Sequence, residues 1–64
     1  MTQKELSYLE DATIHEESII KICNNMINSL SDENLVSFIE DEVNVHTNIL
    51  DNLMELLEEK SNGW

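Results

Sequence analysis

Glu16, Glu42 and His46 are three ionisable residues at positions where the helical period of this chain otherwise carries leucine, isoleucine, valine or cysteine. Leu9, Glu16, Cys23 and Leu30 form one line at sevenfold spacing, and Ile39, His46 and Leu53 form another. At ~100° per residue, Glu16 lies within roughly 10° of the centre of the first apolar stripe, and His46 lies near the centre of the second. Glu42, one turn before His46, sits roughly 40° to one side and still within the apolar arc. Groups that ionise are costly to bury alone, so these three need partners. Two chemistries provide them. The carboxylates can hold a protonated His46 between them by charge-assisted hydrogen bonds, a device that sets register in a bundle. Alternatively, carboxylates and imidazole can ligate a metal ion, which brings the positive charge the cluster lacks. Lys21, the nearest base, falls on the opposite side of its helix.

The elements that must position these residues are legible from start signals and periodicity. Thr2 with Glu5 makes a T-x-x-E capping box, and Ser31 followed by Asp32 and Glu33 places a cap and two acids at a second start. The first stripe runs through Leu6, Leu9, Ala12, Ile19, Ile20, Cys23, Met26, Ile27 and Leu30. The second runs through Leu35, Ile39, Val43, Ile49, Leu50, Leu53, Leu56 and Leu57. The expectation is one all-α domain: a helix over about 3–29, a turn at 30–31, a helix over about 32–59 and a flexible tail at 60–64. Folding this antiparallel hairpin about Leu30 and Ser31 sets residues whose numbers sum to about 61 at one height, so Glu16 meets His46. Glu42 lies about one turn away.

A single hairpin buries too little to offset its chain entropy. Two hairpins dimerising into a four-helix bundle would share a core, so a homodimer or higher homo-oligomer is expected. The chain has 64 residues, no proline and a single glycine, Gly63, and 41% of it is hydrophobic, too much for a disordered acidic tail. Fourteen acids against three lysines and no arginine give a net charge of −11. That field argues against nucleic acid and against an anionic membrane surface, and it favours cations or a basic protein partner. No apolar run approaches the ~20 residues of a membrane span, and the polar start "MTQKELSYLEDA" reads as no signal peptide, so a cytoplasmic location is expected. Cys23 falls on the apolar face and reads as a core thiol. It has no histidine at its height, which leaves nucleophilic catalysis without support.

The segments "YLEDATIHEESII" and "SFIEDEVNVHTNIL" resemble the ferritin-like superfamily. The nearest likeness is to small two-helix proteins whose dimers rebuild a four-helix bundle, including encapsulated ferritins of bacterial nanocompartments. Short ferritin-like or spore-coat-type proteins of spore-forming bacteria are also similar. The resemblance covers roughly residues 5–58, in pattern rather than signature. It implies a carboxylate/histidine site at a homodimer interface, with Glu16, Glu42 and His46 holding iron or another divalent metal ion. His15 would sit behind the ligands. Iron oxidation of the ferroxidase type is the chemistry implied. The family's E-x-x-H is not reproduced: Val43 stands where its glutamate belongs, and Glu42 makes E-x-x-x-H instead. Beside this metal-binding expectation stands a metal-free one, an acidic helical structural or adaptor protein that is spore-associated by the same resemblance. A third reading is a small regulator that blocks a basic surface.

Overall fold

A computed structural model describes residues 1–62, which form two helices, α1 (Gln3–Ser29) and α2 (Glu33–Asn62), packed side by side in an antiparallel hairpin. Thr2 caps α1 as its sequence predicts. Its hydroxyl accepts from the Glu5 N–H at 3.0 Å, and the Glu5 carboxylate accepts from the Thr2 N–H at 2.8 Å. α1 ends at Leu30, whose backbone is extended and whose N–H still donates to the Met26 carbonyl at 3.0 Å. Glu5 and Glu33 occupy the first turns and Lys60 the last turn of α2, each on the favourable side of its helix dipole.

Two boundaries differ from the sequence reading. Asp32, not Ser31, caps α2: its carboxylate accepts from the N–H groups of Asn34 (2.9 Å) and Leu35 (3.2 Å), and its carbonyl accepts from Val36. The helix also continues through Asn62, where a flexible tail from residue 60 was expected. Nothing in Lys60, Ser61 or Asn62 breaks a helix, and a basic last turn suits its C-terminal end. Gly63 and Trp64, the rest of that expected tail, lie outside the described residues.

The hairpin is a rod, 48 × 15 × 11 Å, and so one helix layer thick. Its radius of gyration is 14.7 Å. A compact chain of this length would have roughly 11 Å. The core is correspondingly thin. Among the described residues only Cys23 and Thr13 are buried, and no large side chain is fully enclosed. The thiol of Cys23 is therefore where the stripe places it. Thr13, absent from the expected stripe, is buried on the side of α1 that α2 covers, and its hydroxyl donates to the Leu9 carbonyl at 2.8 Å, which satisfies the one polar atom it brings inside. Four stripe members, Met26, Leu35, Ile49 and Leu56, stay exposed on the edges of the two-helix interface.

Candidate functional site

Glu16 is the middle residue of α1, with thirteen residues on either side, and thirteen residues of α2 precede His46. The antiparallel pairing brings the two face to face at the midpoint of the rod. His46 Nδ1 lies 2.5 Å from Glu16 Oε2, the one hydrogen bond between side chains among the described residues and one that ties α1 to α2. A carboxylate can only accept, so Nδ1 carries the proton and donates it. The Glu16 and His46 side chains keep 16% and 23% of their exposure, enough shielding to strengthen a charge-assisted bond relative to the surface.

The other edge of the ring faces Glu42. Their spacing on one helix places Nε2 3.7 Å from Glu42 Oε2, beyond hydrogen-bond reach but close enough for attraction once the ring is charged. Glu42 is the most open of the three, with 41% of its side chain exposed. The imidazole thus stands between two carboxylates on opposite edges. Their oxygens do not converge with a ring nitrogen on a common point, and among the described residues no set of three His, Cys, Asp or Glu side chains is placed to hold a metal ion. His15 is exposed and joins no hydrogen bond or ion pair of this cluster.

The structure therefore assembles Glu16, Glu42 and His46 as their spacing predicts and leaves His15 apart. Two surface grooves lie elsewhere. One, of ≈ 480 Å³, is lined by Met1, Glu5, Tyr8, Leu9, Leu56 and Lys60. The other is lined by Asn24, Ile27, Glu40, Val43 and Asn44. Neither reaches the cluster. No helix among the described residues is long and apolar enough to cross a membrane. No family model matches the chain, and no curated protein or solved structure is significantly similar to it, so the comparisons give the ferritin-like likeness no support.

Proposed function

We propose that the protein is a metal-free helical structural or adaptor module that works as a homodimeric four-helix bundle, with Glu16–His46 as the pin that fixes its register. The carrying observation is the 2.5 Å bond between the two helices at the midpoint of the rod. A one-residue slip of either helix would replace this pair with polar groups that are half-buried and unpartnered, which costs more than a mismatched leucine does. The pin thus selects one alignment from the many that a plain leucine seam allows. The acidic exterior, with a net charge of −11, keeps assemblies apart and suits a basic protein partner. The test replaces both pin residues with leucine: a folded dimer that melts at the same or a higher temperature supports the reading, and loss of folding overturns it.

One observation favours a second reading, that of a metal site. Nδ1 of His46 is held by a carboxylate while Nε2 faces Glu42 without a hydrogen bond between them, the arrangement in which a carboxylate orients an imidazole for a metal on its far nitrogen. Glu42 and His46 would then hold the ion, and Glu16 would steer the ring. For Glu16 to be a ligand itself, the ring must turn away from it. One chain supplies only this pair of donors, so a second copy has to complete the coordination. Iron bound there would supply one-electron chemistry with oxygen; another divalent ion would only brace the bundle. Native mass spectrometry after anaerobic incubation with ferrous iron decides between the readings. One or two metals per dimer, absent in His46→Ala, would replace the first reading with the second.

A further inference from the structure

The two broad sides of the hairpin differ in chemistry. Tyr8, Ala12, His15, Ile19, Ile22 and Met26 follow one another along α1 in alternating steps of four and three. Leu35, Phe38, Glu42, Val45 and Ile49 do the same along α2, and Leu56 continues the line. This is the spacing of a helix seam that packs on other helices. At ~100° per residue each line is rotated by roughly 90° from the inward face of its helix, and in the same sense. Because the helices run antiparallel, the same sense puts both lines on one broad side. Eight large apolar residues of these lines are 38–61% exposed: Tyr8, Ile22 and Met26 on α1, and five on α2. The opposite side carries Glu10, Glu17, Glu40, Asp51 and Glu58, all exposed.

We propose that a second copy of this chain covers the apolar side with its own, the two rods overlapping fully. The proposal rests on the homodimer of the reading above and names its face and alignment. Three observations identify the occupant. Side chains of roughly 150–250 Å² at these exposures offer about 600–1,000 Å² per copy, a range that contains the ~800 Å² each partner buries in a stable protein interface. The acidic side would repel its own copy, which leaves the apolar side as the face for self-association. Glu16 and His46 sit at the midpoint of the rod, the height that a two-fold dimer of fully overlapped rods maps onto itself. Both copies' His46–Glu42 edges therefore come level inside the bundle, where Glu42 and His15 of the seams gain each other's copies as polar neighbours.

The test needs no variant to begin. Sedimentation velocity over a concentration series should show a species of twice the 7.4 kDa chain mass. Hydroxyl-radical footprinting on either side of that transition should slow the oxidation of Tyr8, Met26 and Phe38 at least about threefold in the dimer. Met54, which is exposed on the other flank, is the control of matching chemistry and should not change. Phe38→Glu should raise the dimer dissociation constant by about thirtyfold or more, as loss of a central aromatic anchor does, while Ile14→Glu, on the outer side of α1, should not. Protection of Met54 in place of Met26, or equal oxidation of both, overturns the face and leaves the homodimer standing. A chain that stays monomeric overturns both. If Phe38→Glu fails to fold, the footprint of the unaltered protein still decides.

Discussion

Replacing the two members of the Glu16–His46 pair with leucine, singly and together, isolates what the pair contributes. His46→Leu leaves the Glu16 carboxylate 16% exposed, with no cation placed to reach it. The loss combines a charge-assisted hydrogen bond, ~1.5–3 kcal/mol, with the cost of a stranded charge, so about 2–3 kcal/mol is expected after partial reorientation toward water. Glu16→Leu should cost less, about 1–2 kcal/mol, because the imidazole left behind keeps the Glu42 carboxylate beside its other nitrogen, whereas Glu16 left alone keeps no partner. The double variant removes both polar groups and extends the apolar lines Leu9–Cys23–Leu30 and Ile39–Leu53 without interruption. It should be as stable as the natural chain or more stable, so the coupling energy equals the two single losses together, about 3–5 kcal/mol. For a chain of this size, His46→Leu should lower Tm on the order of 10–20 °C. Far-UV circular dichroism melts at one fixed protein concentration read this directly, since association makes Tm concentration-dependent. Additive single effects with coupling below about 0.5 kcal/mol would refute the pin. So would a double variant as unstable as the worse single one.

Three further outcomes follow from particular contacts. Asp32→Ala should cost about 1 kcal/mol in a urea titration, and Ser31→Ala close to nothing, because the Asp32 carboxylate is the acceptor that caps α2. The Thr2 backbone N–H, and after it the Thr2 hydroxyl, holds the Glu5 carboxyl below its ordinary value of 4.5. A lowered carboxyl stabilises the fold above its unfolded value, and that contribution is lost as pH falls through the folded one. Amides in the first turn of α1 should therefore lose exchange protection on acidification below about pH 4. Cys23 is buried, so its thiol should react with an aromatic disulfide reagent far more slowly in the folded protein than in denaturant. Equal rates would show that the hairpin opens freely around Cys23.

Helix identity, the capping box at Thr2 and the meeting of Glu16 with His46 were all legible in the order of residues. Each depends on short-range physics: a period of 3.6, a hydroxyl three residues from a glutamate, and one turn that fixes every pairing height. The start of α2 was legible to within a residue, since Ser31 and Asp32 both have the chemistry of a cap. Only the backbone path selects the carboxylate that reaches two N–H groups.

What lay beyond the pattern depended on which directions a second helix covers. Met26, Leu35, Ile49 and Leu56 belong to the apolar stripes by period, yet one neighbouring helix shields an arc narrower than those stripes, and they remain open to solvent. Thr13 lies inside because α2 covers its side of α1, and the Leu9 carbonyl within its own helix satisfies its hydroxyl there. The cluster follows the same division. Spacing by itself determined that two carboxylates and an imidazole would gather at mid-rod. The tertiary structure decided that the ring stands between them, with Nδ1 on Glu16 and Nε2 toward Glu42, because ring orientation depends on how two packed helices present their side chains across a gap of a few ångströms.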